Sequence, residues 1–454
     1  MDINVFIHRR DLRIFDNTSL LKLTKISKNP VLHIFIFNYS QINPELNKYF
    51  SKYSFQFLIE SLEDLNEQLK GKLSIFYTKE DILILEYLSK KYSINYVAFN
   101  KDFTPFAIKR DSEIIEWCKN NKINFISEED YTLFPLDYIK SGKKEPYKVF
   151  TPFYINCLKR QVRHPQEIPK YTILESKLGE SLRKNKEILL TDLKGGTINA
   201  TNRLKLNFKN YTKQRDYPYL DSTTKLSPYL KYGCLSIRQV YFHFRDNKSI
   251  VKELFWREFY ANITFHFPHI LQNQISNKKN SSFKVKYDNI KWKYSKKIWE
   301  AFTSGKTGFP MVDAGIRQLL TTGWCHNRSR MIIASFAAKD LHLPFQEIER
   351  WFASNLIDYD PSSNSGGIQW AYSIGSDSQP YFRIFNPFAQ SKKYDPKCEY
   401  ILKFVPELKG VSIKDIHSWN LSYSKYKNRI NYPKPIVDHN YQARIAKEMF
   451  SKIS

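Results

Sequence analysis

The stretch from residue 323 to residue 387 contains four unusual motifs: GWCHNRSRM at 323–331, LIDYD at 356–360, NSGGIQW at 364–370 and PYFRIFNP at 380–387. They mix amides, arginines, carboxylates and aromatic rings with small residues. A site for a flat, charged cofactor needs this mixture, because Asn and Gln bond ring edges, Arg pairs with carboxylates or phosphates, and Gly lets the backbone come close. A helical core with buried ion pairs is the alternative interpretation of this stretch.

Helical periodicity surrounds these motifs from about residue 201 to the end of the chain. Ser227 and Pro228 suit the cap and the first position of a helix. Further helices are predicted around residues 250–263, 294–303, 311–320, 328–340 and 344–356. Strand patterns are nearly absent in this half, so residues 201–454 are predicted to form an all-α domain.

The first 130 residues have a different pattern, in which short apolar runs alternate with helical segments. Five runs rich in β-branched and aromatic residues are typical of buried parallel strands, and they lie at 4–7, 31–37, 73–77, 96–99 and 124–126. Apolar residues at helical spacing from Phe55 to Leu69 are followed by Gly71, which suits a helix end. The alternation predicts an α/β domain with a parallel sheet over residues 1–130. Residues 131–200, interrupted by five prolines, are predicted to be a connector.

Arg9, Arg10 and Arg13 follow the first predicted strand, beyond its carboxyl end, where open parallel sheets bind ligands. This loop has no Gly-rich phosphate motif, so an ordinary dinucleotide fold is not expected. A structural ion-pair network and a ligand site both stay open for these arginines.

The composition of the chain points to a polyanion as partner. The 454 residues carry a formal net charge of +26, and 16% of them are aromatic. An excess of this size indicates a nucleic acid, with a merely solvated Lys-rich background as the alternative. The five cysteines are scattered and without a CxxC pair, which favours reduced thiols in an intracellular protein and no metal site. No export signal or membrane-spanning segment is recognisable, so a soluble protein is expected.

A candidate phosphate site precedes the helix that starts near Ser227. Tyr211, Thr223, Thr224 and Ser227 place hydroxyls and backbone amides at a helix start, an arrangement that suits a cofactor diphosphate. Helix capping alone would also explain Ser227.

Glu253, Trp256 and Arg257 share one face of a predicted helix at i, i+3 and i+4. The indole can stack on a base while the carboxylate bonds the edge of that base. An exposed salt-bridge face with a half-buried Trp is the alternative. Because the chain has no Ser-His-Asp order, metal-ligand cluster or P-loop, a cofactor is expected to supply the chemistry.

The ordered motifs resemble those of the photolyase/cryptochrome family, and within it the class I photolyases for cyclobutane pyrimidine dimers. The matching pieces cover nearly the whole chain and have these bounds: Arg9–Arg13 with Asp16-Asn17, Arg215–Pro218 with Thr223–Ser227, Trp256–Tyr260, Lys306–Ala314, Gly323–Met331, Asn364–Trp370 and Pro380–Pro387. The resemblance implies an N-terminal α/β antenna domain and a C-terminal helical domain that holds FAD. It further implies that light excites reduced, anionic FAD, which donates an electron to a flipped-out dimer in UV-damaged DNA and recovers it after the dimer splits.

The resemblance also implies a role for individual residues. Contacts with the FAD phosphates and ribityl chain are assigned to Tyr211, Thr223, Thr224, Leu226 and Ser227. Contacts with the isoalloxazine ring are assigned to Asn364 opposite N5, to the ion pair of Arg330 and Asp358, and to Asp360 near the ring edge. Contacts with the dimer are assigned to Glu253, Asn327 and Met331, with Trp256 and Trp370 as an aromatic clamp. Further DNA contacts are assigned to Arg215, Arg257, Arg328 and Arg383.

Two residues select among the activities of the family. Asn327 resembles the dimer photolyases, because the enzymes for the six-four photoproduct carry a second histidine at this position. Asn364 fits a repair enzyme better than many photoreceptors of the family. A cryptochrome-like blue-light photoreceptor without repair activity is the alternative.

One departure from the class I pattern concerns the three tryptophans that carry electrons to the flavin from the surface. Only the outer one, Trp292, is present, whereas Phe345 takes the middle position and Ile368 the flavin-proximal one. Isoleucine cannot carry an electron, and phenylalanine is far harder to oxidise than tryptophan. Light-driven reduction by the usual route is therefore not expected, although repair itself starts from FAD that is already reduced.

The antenna side of the family is represented by a second set of residues. They are Asn100, Asp102, Phe103, Pro105, Arg110 and Asp111. The sequence does not select among a folate, a deazaflavin, a second flavin and no antenna pigment. The protein is expected to be a monomer.

Overall fold

The computed structural model describes residues 1–176, 178–183, 188–189, 191–271 and 281–453. By their internal contacts the residues form two compact units. Unit 1 comprises Met1–Asn207, Lys225–Leu271 and Ile357–Asp360, and unit 2 comprises Phe208–Thr224, Gln272–Leu356 and Pro361–Ser454. This division differs from the boundaries predicted at residues 130 and 200, which stay a prediction based on sequence pattern.

Unit 1 is built on a five-stranded parallel sheet in the order β3-β2-β1-β4-β5. The strands are β1 Asp2–His8, β2 Val31–Asn38, β3 Leu73–Thr78, β4 Ser93–Asn100 and β5 Asn124–Glu128. All five predicted strands are thus confirmed. Every residue of β1 after Asp2 is buried, as expected for a central strand that is covered on both faces.

The order of the strands positions a ligand crevice. Val5 of β1 lies opposite Leu32 of β2 on one side and opposite Val97 of β4 on the other. The strands β2 and β3 are therefore added on one side of β1, and β4 and β5 on the other, so the strand order reverses at β1. In open parallel sheets the crevice at such a reversal point, outside the carboxyl ends of the strands, is where ligands bind. The loops after β1, β4 and β5 therefore supply the candidate ligand groups of this unit.

The helices of unit 1 include the one predicted between β2 and β3, which runs from Lys52 to Gln68 and is followed by Gly71 at φ +78°. The α-helices of unit 1 have these bounds: Thr18–Ile26, Tyr39–Ile42, Lys52–Gln68, Asp81–Ser89, Pro105–Asn120, Phe150–Cys157, Thr197–Leu204, Ser227–Tyr232, Ile237–His243 and Lys248–His266. The predicted connector belongs to this unit, since Ile173 forms a parallel bridge with Val31 at the start of β2.

Among the described residues of unit 2, every regular element is a helix. Its α-helices have these bounds: Tyr211–Gln214, Lys296–Thr303, Pro310–Thr322, Asn327–Lys339, Phe345–Asn355, Pro361–Ala371, Pro387–Tyr394, Glu399–Phe404, Ile413–Ile416, Trp419–Tyr426 and His439–Ser451. In the described part of the chain after residue 200, every regular element is a helix, so the all-α prediction is confirmed. None of the described helices combines the length and the apolar character needed to cross a bilayer.

One local prediction is wrong, namely that Ser227 caps a helix. The helix starts at Ser227 itself, with Leu226 in the capping position and no side-chain cap. The Ser227 hydroxyl donates instead to the Asp358 carboxylate at 2.5 Å. A contact that is distant in sequence has therefore taken the hydroxyl that the local pattern assigned to capping.

Glu258 gives a testable dependence of stability on pH. Its buried carboxylate accepts the backbone N–H groups of Leu133 at 2.7 Å and Phe134 at 2.9 Å, which fixes the start of the connector. Burial, the largest effect, raises the pKa of Glu258 from 4.5 to about 7, against the opposing effect of the two N–H groups. Folding thus favours the protonated acid, so its contribution to stability is complete below pH 4.5 and is lost as the pH rises through 7.

We therefore expect Glu258→Gln, which is neutral at every pH, to gain stability relative to the wild type as the pH rises from 5 to 8. Urea unfolding of both proteins at several pH values measures this difference. A difference that is constant across the range would show that the carboxyl is ionised throughout.

Candidate functional site

The arginines after β1 form ion pairs within unit 1. Arg9 pairs with Asp111, and Arg10 pairs with Asp102 at 3.3 Å and also with Asp360. Of the two interpretations left open by the sequence, the ion-pair network is the one observed. Its functional consequence is that the Arg10 guanidinium holds the Asp360 carboxylate in place.

Asp360 has a second partner in unit 1, the phenol of Tyr131, which donates to Asp360 Oδ2 at 3.0 Å. Burial raises the pKa of Tyr131 to about 12, so the phenol keeps its proton and remains a donor. Two donors therefore orient Asp360. Asp358 is oriented separately by the Ser227 hydroxyl, next to Leu226, which is buried.

The helix Lys248–His266 has the face that the sequence predicted. Glu253, Trp256 and Arg257 are half-buried on it, whereas Leu254 and Phe255 face the core. The indole of Trp256 is therefore partly accessible.

The guanidinium of Arg257 forms its contacts with residues of unit 1. The group lies 3.4 Å over the centroid of the Tyr131 ring, and it donates to the Tyr131 carbonyl at 2.7 Å and to the Leu230 carbonyl at 3.3 Å. These bonds fix the helix to the start of the connector. The predicted contact of Arg257 with DNA stays a prediction.

The candidate phosphate site of unit 2 contains two unsatisfied buried hydroxyls. Tyr211 is 7% exposed, and the hydroxyl oxygens of Ser222 and Thr223 are buried without a hydrogen-bond partner. A buried hydroxyl in a native protein is normally hydrogen-bonded, so such a pair indicates a missing acceptor. Phosphate oxygens are acceptors, and the residues present therefore fit the diphosphate of FAD. Sequence reasoning missed Ser222, although it directly precedes the doubled Thr.

The helix Asn327–Lys339 of unit 2 begins with an exposed residue. Asn327 is exposed and its amide lies 3.7 Å from the Met331 sulfur, while Arg330 donates to the Cys325 carbonyl at 3.0 Å. His326 caps this helix by accepting the Arg328 N–H at 3.0 Å, and burial lowers the pKa of His326 to about 4. A neutral histidine thus fixes the turn that carries the predicted lesion contacts.

The helix Pro361–Ala371 packs against the helix Asn327–Lys339 within unit 2. Asn364, Gly367 and Trp370 form a half-buried face at i, i+3 and i+6. A Cβ added to Gly367 would meet no atom within 4 Å, so open space lies beside this face. The Asn364 amide donates to the Glu349 carbonyl at 3.0 Å, which orients its oxygen.

The predicted phosphate-binding arginines of unit 2 differ in their surroundings. Arg383 is exposed, with one contact of 3.3 Å to Gln379. Arg328 is paired with Asp216 at 2.7 Å, and the Arg215 guanidinium lies 5.5 Å from the centroid of the Tyr211 ring. Arg383 is therefore the most readily available of the three for a phosphate.

The three residues at the family's electron-transfer positions lie in unit 2. Phe345 and Ile368 are buried and Trp292 is half-buried. The ring of Tyr372 lies between two of them, with its centroid 5.2 Å from that of Trp292 and 6.1 Å from that of Phe345. None of the sequence motifs includes Tyr372.

A cavity of about 290 Å³ lies in unit 1 at the ends of β4 and β5. Three of the predicted antenna residues, Asp102, Phe103 and Asp111, line it, together with Phe265. Asn100 is not in its lining and donates to Asp11 at 2.5 Å instead. The predicted antenna set therefore divides into cavity-lining and structural members.

Comparisons with known proteins cover both halves of the chain. The family described as the FAD binding domain of DNA photolyase matches residues 250–452, and the family described as DNA photolyase matches residues 4–170. A deoxyribodipyrimidine photo-lyase of Alkalihalophilus pseudofirmus is 35% identical and covers 97% of this chain and 96% of its own length. Another from Buchnera aphidicola is 34% identical and covers 100% of this chain and 97% of its own.

Solved structures give the same result. A photolyase of Sulfolobus tokodaii, described as containing two FAD molecules, matches with a TM-score of 0.88 at 32% identity over 100% of both chains. A cryptochrome of Synechocystis matches with a TM-score of 0.87 over 99% of both chains, but its 23% identity shows the fold alone.

Proposed function

The chain belongs to the DNA photolyase family, and on this premise we propose that it repairs cyclobutane pyrimidine dimers in DNA in a light-driven reaction. The observation that carries the proposal is the match to relatives named deoxyribodipyrimidine photo-lyase over 97–100% of this chain at 34–35% identity. Asn327 directs the proposal to the cyclobutane dimer.

FAD is the cofactor, and in its reduced, anionic form it supplies the light-excited electron. The unsatisfied hydroxyls of Ser222 and Thr223 support a phosphate contact beside Tyr211 and Thr224. Leu226 and Ser227 complete the assigned phosphate and ribityl contacts. Contacts with the isoalloxazine ring are assigned to Asn364, Arg330, Asp358 and Asp360. The Arg330 guanidinium would stabilise a flavin anion there. The oriented carboxylates of Asp358 and Asp360 would restrict which ring nitrogens carry protons.

The chain's own residues bind the flipped-out dimer. Trp256 and Trp370 offer partly accessible indoles that replace the base stacking lost on flipping. Glu253 and Asn327 offer a carboxylate and an amide for the base edges, and Met331 packs on the bases. The proposed role of these groups is to bind and orient the flipped-out dimer.

Basic residues bring the duplex to the site by releasing counterions, with Arg383, Arg215 and Arg328 as the assigned phosphate contacts. The net charge of +26 supports a long-range attraction to DNA. All five cysteines are buried free thiols, which supports an intracellular location. We propose a monomer as the active form.

The cavity of unit 1 is proposed as the antenna site. Its volume of about 290 Å³ is close to the lower end of ligand pockets, roughly 300–1,000 Å³. Asp102, Phe103 and Asp111 supply polar and stacking groups for a flat pigment. A folate, a deazaflavin and a second flavin all stay open as occupants.

Light dependence tests the proposed function. Protein reconstituted with FAD and reduced is mixed with dimer-containing DNA and divided between blue light and darkness. We expect repaired DNA only under light, and flavin fluorescence in an extract released by heat. A protein that binds FAD and dimers but never reverses them under light would contradict the proposal and favour the alternative of a blue-light photoreceptor without repair activity.

Two substitutions separate lesion contacts from phosphate contacts. Trp256→Ala should weaken binding to dimer-containing DNA by about 1–3 kcal/mol, because it removes a base–aromatic stack, and should leave binding to undamaged DNA nearly unchanged. Arg383→Ala should weaken both equally and reduce the salt slope by about 1, as loss of a phosphate contact does. Titrations in darkness at several salt concentrations measure both effects. Equal losses on both DNAs for Trp256→Ala would contradict its role in the clamp.

A further inference from the structure

The indole of Trp256 is covered on one side by a phenylalanine of the connector. The rings of Phe150 and Trp256 are stacked, with centroids 3.7 Å apart and planes 5° from parallel. Tyr154, one helical turn after Phe150, is also parallel to it at 9°, with centroids 5.6 Å apart. Three aromatic side chains from two helices thus share one orientation.

The position of Phe150 is fixed by its own packing in unit 1. Phe150 is 2% exposed and begins the helix Phe150–Cys157, which packs on the helix Lys248–His266. Its ring also meets the edge of the Phe259 ring at 5.8 Å. Because Phe150 cannot move without disturbing this packing, it limits the movement of the indole of Trp256 on the stacked side.

The stack of Phe150 on Trp256 limits which face of the indole can stack on a base. Trp256 is half-buried, so part of its surface stays accessible while Phe150 occupies one face of the ring. A flipped base can therefore stack only on the opposite face. An indole that is already fixed also loses less side-chain entropy when the base arrives.

We propose that Phe150 is a positioning residue for lesion recognition, which presents one face of Trp256 to the flipped-out dimer and blocks the other. The inference rests on the proposed function, and it gives Phe150 of the connector a role in positioning Trp256 of the aromatic clamp. Phe150 makes no contact with the dimer, and its effect passes entirely through Trp256.

The chain offers a matched pair of variants for the test. Phe150→Leu removes the stacked ring and keeps an apolar side chain in the core. Phe153→Leu is the control, since Phe153 is 1% exposed in the same helix and its ring contacts are with Tyr147 and Phe259. The two variants should have similar thermal midpoints, so a difference between them in DNA binding reports on the stack.

The measurement is binding of the FAD-loaded protein in darkness to dimer-containing and undamaged duplexes. Phe150→Leu should reduce the preference for dimers by roughly 2- to 12-fold, the cost of ordering one side chain, with binding to undamaged DNA unchanged. Phe153→Leu should keep the preference of the wild type. In a Trp256→Ala background, Phe150→Leu should have no further effect on the preference.

Each other outcome overturns a specific statement. Equal losses for the two leucine variants, or a loss that persists in the Trp256→Ala background, would overturn the positioning role. If Phe150→Leu keeps the full preference of the wild type for dimers, the positioning role is overturned as well. A wild type without any preference for dimers would overturn the proposed function and this inference together.

Discussion

Replacing Asp130 with alanine is expected to lower the free energy of unfolding by about 3–5 kcal/mol, because it leaves buried arginines without their carboxylate. Asp130 accepts from Arg13 and Arg238 at 2.6 Å each and from the Thr18 hydroxyl at 2.6 Å. Arg13 and Arg238 have side chains only 3% exposed. Burial alone would raise the pKa of Asp130, but the two guanidiniums outweigh burial and lower it.

The control for this prediction is Glu128→Ala, two residues earlier in the chain. Glu128 pairs with Lys22 at 2.5 Å, but the Lys22 side chain is 55% exposed and that of Glu128 is 33% exposed. An exposed pair is worth about 0–1 kcal/mol, so this variant should unfold nearly as the wild type does. Urea midpoints of both variants measure the difference. A small loss for Asp130→Ala would mean that Asp16, which also pairs with Arg238 at 2.7 Å, neutralises the site alone.

The regular elements could be predicted from the sequence because their signals are local. The five strands are continuous β-branched and aromatic runs, and the helix Lys52–Gln68 has its apolar residues at helical spacing. The partners of the arginines after β1 could not be predicted, since Arg9 finds Asp111 across 102 residues of sequence and Arg10 finds Asp360 across 350. Only the fold brings these charges together.

The sequence predicts which residues of the candidate site could contact a ligand, but it does not predict the residues that hold those side chains in place. Motifs identified Trp256, Asn327 and Asn364, whose side chains carry the proposed contacts. Phe150, which fixes Trp256, comes from a stretch interpreted only as a connector, and no pattern in the sequence links it to that helix. Residues that act by packing on a functional group leave no motif, because their identity depends on a distant surface.

Tyr372 is the ring whose position between Trp292 and Ile368 makes it a candidate relay in place of the missing tryptophans. It contacts Trp292 and lies one helical turn after Ile368, since its N–H donates to the Ile368 carbonyl at 3.0 Å. Its phenol donates to the Leu343 carbonyl at 3.0 Å, and burial raises its pKa well above 10. Oxidation of a tyrosine releases its proton, and a backbone carbonyl cannot take that proton. Tyr372 is therefore a poor relay despite its position.

A second row of rings in unit 2 is also interrupted. Trp351 lies 5.1 Å from Phe302, Phe302 lies 6.2 Å from Trp299, and Trp299 lies 6.1 Å from the exposed Tyr294, measured between ring centroids. Phe302 interrupts this row in the same way that Phe345 interrupts the usual path of the family. Both routes to the surface thus contain a side chain that resists oxidation.

Restoring tryptophans at Ile368 and Phe345 is therefore expected to accelerate photoreduction of the flavin by more than an order of magnitude. Protein purified in air and holding oxidised FAD is illuminated with a thiol, and the loss of flavin absorbance is followed. The wild type, Trp292→Phe and Tyr372→Phe should all be slow, because both routes found among the described residues already contain a side chain that resists oxidation. Both positions are buried, so the Ile368→Trp/Phe345→Trp protein is compared with the wild type in thermal midpoint before its rate is interpreted.

Repair and photoreduction should separate in these variants. Chemically reduced wild type should repair dimers under light at full rate, since repair starts from reduced FAD and needs no path to the surface. A wild type that photoreduces as fast as the restored protein would show that another route exists. In that case slow photoreduction in Tyr372→Phe would assign the route to Tyr372, and slow photoreduction in Trp351→Phe would assign it to the row that ends at Tyr294.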